Sequence, residues 1–205
     1  REGWDPERGK FAPRPFDLRG FKRELFAWQD LTRHDGWTSL FLSNHDLPRQ
    51  VSFYADDGPY RREAAKMLAT VLHLLKGTPF IYQGEEIGMT NAPFERIDQY
   101  RDLETLNHFE AQIAAGVPLE EFIAGARRNS RDNSRTPMQW SPAPQAGFTT
   151  GTPWIEVNPN ASEINVEQDS AQPDGILAHY RKLVGLRKEC DIVAFGETEP
   201  FLEDS

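Results

Sequence analysis

Three polar residues that could bind or process a substrate stand together in the stretch FLSNHDLPR, residues 41–49. The residues 40–42 form a short unbroken apolar run, which is typical of a strand buried on both faces. Pro48 lacks a backbone donor, so we expect this strand to end near Asp46. His45 and Asp46 would then lie at the carboxyl end of a strand, where parallel-sheet enzymes place their chemistry. A plain loop is the alternative interpretation, since Asn and Asp begin many loops.

The composition indicates a folded domain with an acidic surface. Of the 205 residues, 38% are apolar and 27% are charged, so the chain can form a core. The formal net charge of −9 argues against nucleic acid or an anionic membrane as a partner. The longest apolar run, at 67–75, is too short to span a bilayer. Cys190 is the single cysteine, which excludes an internal disulfide and favours a cytoplasmic location.

In the first half of the chain, the spacing of apolar residues predicts alternating helices and strands. A loop over 1–15 precedes a helix over 17–33, and a strand over 37–43 follows. The next helix, over 64–75, leads into a second strand at 78–83. The apolar residues of that helix at positions i, i+3, i+4, i+7, i+8 and i+11 are Ala64, Met67, Leu68, Val71, Leu72 and Leu75. This order predicts an α/β fold with a parallel sheet and crossover helices.

The second half of the chain begins with a long excursion from the second strand. About 90 residues pass before the next strong helix pattern, at 174–189. Two shorter helices are predicted inside the excursion, near 97–113 and 119–128, and the remainder reads as irregular chain rich in Pro and Gly. A connection of this length at a strand's carboxyl end favours a functional lid or wall.

Five segments, in this order, carry a resemblance to a known family. They are FLSNHDLPR (41–49), GTPFIYQGEEIGM (77–89), RDNSRTPMQW (131–140), AGFTTGTPWIEVNPN (146–160) and EINVEQ (163–168). Together they resemble the C-terminal part of oligosaccharide α-glucosidases of the α-amylase superfamily, of the oligo-1,6-glucosidase and dextran glucosidase type. The resemblance covers essentially the whole chain.

The resemblance implies an α/β fold that is the C-terminal part of a TIM (β/α)8 barrel. In this interpretation 37–43 is barrel strand seven, 78–83 is strand eight and 174–189 is the last barrel helix. The domain organisation implied is a barrel portion over 1–190 and the beginning of a truncated C-terminal β domain over 191–205.

The resemblance also implies the roles of four residues. Asp46 takes the position of a carboxylate beside the sugar being cleaved, where it stabilises positive charge at C1, and His45 donates a hydrogen bond to the same sugar. Arg131 matches the arginine that binds the non-reducing glucose; the alternative is a loop arginine paired with Asp132 or another carboxylate. Glu104 matches a glutamate near the leaving-group sugar; the alternative is a solvated helix residue.

Other polar residues are not assigned to the site. Arg135 is interpreted as structural, and Glu85 and Glu86 as part of the pocket wall. No cluster has metal-ligand spacing, so neither a metal nor a cofactor is expected in this stretch, and the family's calcium site would lie outside it. The family's nucleophile motif, Gly-Phe-Arg-x-Asp, does not occur here. We therefore expect the chain to be an inactive portion of a longer enzyme.

The activity implied is that of a retaining, exo-acting α-glucosidase that hydrolyses terminal α-linked glucose from short oligosaccharides. The linkage expected in its substrate is α-1,6. Alternatives within the superfamily are a trehalose-6-phosphate hydrolase and a sucrose-isomerising transglycosylase. A further alternative is a non-catalytic carbohydrate-binding relative, which the pair His45 and Asp46 argues against. The expected partner is a small oligosaccharide or glucoside, with no nucleic acid and no membrane, and the full-length enzyme is expected to be a monomer.

Overall fold

The structure, a computed structural model, describes residues 4–5, 7 and 9–201. Its strands are β1 Trp4–Asp5, β2 Gly9–Pro13, β3 Ser39–Leu40 and β4 Thr78–Pro79. Its α-helices are α1 Leu18–Leu31, α2 Gln50–Tyr54, α3 Arg61–His73, α4 Leu103–Ala114, α5 Leu119–Asn129, α6 Asp132–Arg135, α7 Val166–Ser170, α8 Ile176–Glu189 and α9 Asp191–Phe195. Short 3₁₀ turns lie at Glu85–Ile87, Ile97–Gln99, Pro144–Gly147 and Pro159–Ser162. Most of the regular structure is helical.

The strands β3 and β4 form the parallel pair that the sequence predicts. Ser39 lies opposite Thr78, and the chain between the strands crosses over through α2 and α3. Both strands are shorter than the predicted 37–43 and 78–83. In the described part of the chain each of them pairs along one edge only, so few residues take part in a ladder.

Helix α3 packs between the parallel strands and α8. Its leucines contact the chain around β3, in a cluster of Leu40, Leu42, Leu68, Leu72 and Leu75. Its alanines contact α8, in a cluster of Val51, Ala64, Ala65, Ala69, Ile176, Tyr180 and Leu183. Met67, which the predicted apolar face includes, is 48% exposed. The small alanines let α8 approach that side of α3 closely, so the buried face is shifted away from Met67.

The N-terminal segment, predicted as a loop, contains a hairpin in which β1 and β2 are antiparallel. Strand β2 packs against α5, and Phe11 is buried in a cluster that includes Tyr100 and Phe122. A Cβ atom at Gly125 would lie 1.8 Å from the carbonyl oxygen of Phe11, so only glycine allows the helix to approach the strand this closely. The loop prediction was wrong because a contact with a helix more than 100 residues further along the chain stabilises this strand.

The excursion after β4 contains the two predicted helices, α4 and α5, although α4 begins at Leu103 and not near 97. It also contains two short helices, α6 and α7, that were not predicted. Helix α8 begins at Ile176, two residues after the predicted start. The residues after Glu189 form the short helix α9 where the predicted β domain would begin, and the domain boundary at 190 stays a prediction.

A buried carboxyl group lies in the turn that follows β4. Glu85 is 3% exposed, and the hydroxyl of Tyr180 in α8 donates a hydrogen bond to its Oε1 at 3.3 Å. The amide of Gln50 in α2 donates to the same hydroxyl oxygen at 3.1 Å. Burial raises the pKa of Glu85 to about 8. Glu85 is therefore protonated in the folded chain at neutral pH.

We expect the complete protein to lose stability as the pH rises from 4.5 to about 8, and we expect the Glu85→Gln variant not to show this loss. Because the pKa rises from 4.5 in the unfolded chain to about 8 in the folded one, the folded state keeps a proton that the unfolded state has lost. The free energy of unfolding should fall between these pH values by up to ~1.4 kcal/mol per pH unit. Glutamine resembles the protonated form, so its variant should lack this fall.

Urea unfolding of both proteins at pH 5 and pH 8 measures the effect. Glu120→Gln, a change at an exposed residue, serves as the matched control and should keep the fall. An equal loss of stability in the wild type and in Glu85→Gln would contradict a protonated Glu85.

Candidate active site

The segment after β3 presents Asn44, His45 and Asp46 on a tight turn. The side-chain oxygen of Asn44 accepts a hydrogen bond from the Asp46 amide at 2.7 Å, and its carbonyl accepts from the Leu47 amide at 3.3 Å. This turn leaves the Asp46 side chain 49% exposed and that of His45 71% exposed. The strand ends at Leu40, earlier than predicted, but both side chains lie beyond its carboxyl end.

Two arginines contact the Asp46 carboxylate. Nη1 of Arg131 lies 3.2 Å from Asp46 Oδ1, and Nη2 of Arg135 lies 3.1 Å from the same oxygen. Arg131 is the N-cap residue of α6 and Arg135 is its last residue, so the four-residue spacing places both on one side of a single helical turn. Arg135 also donates through Nε to the carbonyl of His45 at 2.9 Å.

A buried carboxylate, Asp102, orients both arginines from the other side. Its Oδ1 accepts from Arg131 Nε at 3.1 Å and Nη2 at 2.6 Å, and Arg135 Nη1 lies 3.5 Å away. Asp102 is also the N-cap of α4 and accepts from the amide and hydroxyl of Thr105. Burial by itself would raise the pKa of Asp102, but the hydrogen bonds from Arg131 and Thr105 hold it below its ordinary value.

Glu104, in the first turn of α4, joins the same group of charges. Its Oε2 lies 3.3 Å from Arg131 Nε and 2.6 Å from the Nζ of Lys10 in β2. The alternative of a solvated helix glutamate therefore does not hold. Arg131 does not pair with Asp132, which is buried and accepts from the backbone amides of Arg101 and Asp102. It pairs with another carboxylate, Asp102, as the structural alternative allowed, so that alternative stays open.

We call these seven side chains the site network: Lys10, His45, Asp46, Asp102, Glu104, Arg131 and Arg135. In this network three cations face three carboxylates. Asp46 is its most exposed carboxylate, at 49%, compared with 31% for Glu104 and 1% for Asp102. An exposed carboxylate can accept hydrogen bonds from the hydroxyls of a sugar, and the neighbouring guanidinium groups can donate hydrogen bonds to them.

The structure brings together all four site residues predicted from the sequence: His45, Asp46, Glu104 and Arg131. Sequence reasoning missed Lys10 and Asp102 and interpreted Arg135 as structural only. The four-residue interval between the arginines was a usable signal for Arg135, and an aspartate at a helix start was one for Asp102. No local signal could have found Lys10, which lies 94 residues from Glu104.

Arg49 fixes the position of α6 relative to the two strands. It is 2% exposed and donates to the carbonyls of Gln83 at 2.6 Å and Asn133 at 3.0 Å and to the hydroxyl of Thr136 at 3.3 Å. Its backbone amide donates to the side chain of Asn91 at 2.9 Å. Burial lowers the pKa of Arg49 to about 10, which still leaves it charged at neutral pH.

Within residues 4–5, 7 and 9–201, no group of three or more His, Cys, Asp or Glu side chains could hold a metal ion. No helix in this part of the chain is both long enough and apolar enough to cross a membrane.

Comparison with known proteins identifies the family. Residues 4–196 match the model of the alpha amylase catalytic domain. The oligo-1,6-glucosidase of Halalkalibacterium halodurans is 53% identical over 196 residues, which are 96% of this chain and 35% of that protein. The chain therefore spans about a third of the length of this curated relative.

Two solved structures share the fold of almost the entire chain. The trehalose-6-phosphate hydrolase of Bacillus licheniformis matches with a TM-score of 0.94 and 50% identity, over 99% of this chain and 37% of that one. The isomaltulose synthase of Erwinia rhapontici NX5 matches with a TM-score of 0.94 and 39% identity, over 99% of this chain and 36% of that one. The chain belongs to the alpha-amylase family, as its motifs predict, and matches that family's catalytic domain.

Proposed function

We propose that the complete protein is a retaining, exo-acting α-glucosidase that removes terminal α-linked glucose, with α-1,6 linkages preferred, from short oligosaccharides. The observation that carries the proposal is the exposed Asp46 carboxylate beyond the end of β3, contacted by Arg131 and Arg135 and flanked by His45. The 53% identity to an oligo-1,6-glucosidase supports the substrate class. Because the chain spans 35% of that relative, the activity belongs to the complete protein.

In this proposal β3 and β4 are strands seven and eight of a (β/α)8 barrel, and α8 is its last helix. The parallel pairing and the crossover through α3 support this position. Residues 1–190 belong to the barrel and 191–205 begin a C-terminal β domain. That the complete enzyme is a monomer and is located in the cytoplasm stays a prediction.

The proposed mechanism gives Asp46 a role in the transition state. Retaining glycosidases use one carboxylate as nucleophile and one carboxylic acid as proton donor, with positive charge developing at C1 of the sugar. Asp46 is a third carboxylate, which binds ring hydroxyls and stabilises that charge as the ring distorts. Arg131 and Arg135 hold its Oδ1, so its orientation is set before the substrate binds. The nucleophile and the acid are supplied by parts of the enzyme outside this chain.

Trehalose-6-phosphate hydrolysis is the second candidate, because the solved structure of such an enzyme is 50% identical. A phosphate group needs cations that are not already neutralised by carboxylates. In the site network three cations face three carboxylates, which favours a neutral glucoside. Sucrose isomerisation has the weaker support of 39% identity.

We predict that the isolated 205-residue chain does not hydrolyse p-nitrophenyl α-glucoside, because it contains no Gly-Phe-Arg-x-Asp nucleophile segment. Release of p-nitrophenol by the purified chain measures this. The matched control is the same chain with Asp46→Asn. Release by the unaltered chain clearly above that of the control would show that a complete catalytic site is present.

In the complete enzyme, Asp46→Asn should lower turnover by two to three orders of magnitude. The loss of a negative charge directed at a cationic transition state should cost ~3–4 kcal/mol, by analogy with single oxyanion-hole donors. Steady-state kinetics with isomaltose measures kcat, and a melting curve checks the fold. Asp57→Asn, at an exposed loop residue, is the control. Turnover near that of the wild type would rule out the role given to Asp46.

Arg131→Ala in the complete enzyme should lower kcat/KM for isomaltose by about 100-fold or more, since two charge-assisted hydrogen bonds of ~1.5–3 kcal/mol each are lost. Arg131→Lys should restore only part of the lost kcat/KM, because an ammonium group cannot present the two parallel donors of a planar guanidinium. The Ala change leaves the buried Asp102 with one cation fewer, so Tm should fall whether or not Arg131 binds sugar.

Only the kinetics of the folded protein therefore separate the two roles of Arg131. Arg96→Ala, which removes an exposed ion pair with Asp98, is the matched control. If Arg131→Ala lowers Tm but keeps the kcat/KM of the control, Arg131 has only a structural role.

A further inference from the structure

Four segments of the chain meet at the buried carboxyl group of Glu85. They are the end of the segment that follows β3, helix α2, helix α8 and the turn after β4 that carries Glu85 itself. The hydroxyl of Tyr180 donates to Glu85 Oε1 at 3.3 Å and accepts from the amide of Gln50 at 3.1 Å. Ser43, the residue before Asn44, is 3% exposed, and its hydroxyl faces the Glu85 carboxyl closely enough to lower the pKa of that group.

The backbone of the turn after β4 fixes the position of Glu85. Gly84 has a φ of 92°, which favours glycine, and a Cβ atom there would lie 2.8 Å from Nη1 of Arg49. The Gly84 amide donates to Glu86 Oε2 at 2.7 Å, and the Glu85 amide donates to the carbonyl of Tyr82 at 3.1 Å. The position of Glu85 therefore does not depend on its own side-chain hydrogen bonds alone.

The hydrogen-bonding groups around Glu85 favour its protonated form. Oε1 accepts from Tyr180, so Oε2 is the oxygen left to carry the proton. Glu85 Oε2 and Ser43 Oγ are both buried, and neither has a further hydrogen-bond partner in the described part of the chain. A protonated Oε2 is a donor for the Ser43 oxygen, whereas an ionised carboxylate would place a negative charge in a buried position.

The charged groups around Glu85 do not offset its burial. Glu86, in the same turn, raises the pKa of Glu85 by repulsion, and Tyr180 stays neutral because burial raises its pKa. From α3, the His73 ring lies edge-on to that of Tyr180 at 5.4 Å, and burial lowers the pKa of His73, so it adds no charge at neutral pH. The cation that faces both glutamates is Arg49, whose guanidinium binds backbone carbonyls.

Ser43 connects the Glu85 carboxyl to the candidate active site. It directly precedes the turn in which the Asn44 side chain accepts from the Asp46 amide at 2.7 Å. A shift of Ser43 would therefore move Asp46 relative to Arg131 and Arg135, which come from a different segment. Because Asp46 is proposed to stabilise charge that develops in the transition state, such a shift would change kcat more than KM.

We infer that Glu85 is a positioning residue whose protonated carboxyl group, through Ser43, holds the turn that carries Asp46, so that turnover falls when Glu85 ionises. This inference rests on the proposed function, because Glu85 acts through Asp46. At 3% exposure Glu85 itself is out of reach of a substrate. A glutamate with only a structural role would affect Tm and leave the pH dependence of kcat in the folded protein unchanged.

The test measures kcat and KM of the complete enzyme for p-nitrophenyl α-glucoside at pH 6 and pH 9. The p-nitrophenolate group leaves with little protonation, so ionisation of the general acid has less effect on this substrate. A group with a pKa of about 8 is about one-tenth protonated at pH 9, so the kcat of the wild type should fall about tenfold between these pH values.

The variant Glu85→Gln keeps a carbonyl oxygen and carries an N–H donor in place of the proton. At pH 6 its kcat should stay within about threefold of the wild type, and at pH 9 it should keep that value. The exposed change Glu120→Gln is the matched control and should show the fall of the wild type. A fall in kcat that Glu85→Gln shares with the wild type would overturn the inference.

Two further variants separate positioning from folding. Ser43→Ala removes the link to the turn, and Glu85→Met removes the carboxyl group at similar volume. Each should lower kcat at pH 6 about 10-fold or more with KM nearly unchanged, because misplacement of a catalytic group has effects of this size. The double variant should show little further loss, since both changes break one link.

Melting curves of the same preparations show whether each variant is folded. Variants that lower Tm and keep the kcat of the wild type would overturn the inference, and so would full additivity in the double variant. If Glu85→Met does not fold, Ser43→Ala and Glu85→Gln still give opposite expected results.

The two proposals can fail separately. Activity on trehalose 6-phosphate or sucrose with none on α-glucosides would overturn the proposed substrate. The effect of Glu85→Gln on the pH dependence of kcat would still be measured on the active substrate.

Discussion

The guanidinium of Arg49 links three parts of the chain below the candidate site. It comes from the segment after β3 and donates to Gln83 after β4, to Asn133 in α6 and to Thr136 beyond it. A buried cation is unfavourable unless its donors are satisfied, so each of these segments must keep its carbonyl or hydroxyl at this point. The Arg49 guanidinium therefore holds both the turn that carries Asp46 and the turn that carries Arg131 and Arg135.

The part of the chain around α6 is stabilised largely by buried polar contacts. Asp132 accepts hydrogen bonds from two backbone amides at the start of α4, and burial raises its pKa. The side-chain oxygen of Asn133 accepts from the Ala92 amide, and the side chain of Asn158 donates to the carbonyls of Thr90 and Asn91. Irregular chain has backbone groups that no ladder satisfies, and these side chains supply their partners. A four-residue helix can thus carry two site arginines in a defined orientation.

The helices that could be predicted are those whose signals lie within their own sequence. Asp17 caps α1 and accepts from the Gly20 amide, as its position suggested, and the apolar spacing of α3 predicted its buried face except for Met67. Strand lengths and the N-terminal hairpin were not predicted correctly. Strands depend on a neighbour elsewhere in the chain: β2 is held by α5, and β3 has one paired edge.

The sequence by itself determined the family, the parallel order of β3 and β4, the main helices, and four residue types suited to a sugar site. Caps, apolar periods and motif spacing are local, so they can be read without the fold. Only the tertiary structure decided that Asp102 orients both arginines, that Arg135 contacts Asp46, and that Lys10 holds Glu104. An ion pair between residues dozens of positions apart depends on the path of the backbone between them. That path is set by packing across the whole domain, which no local pattern records.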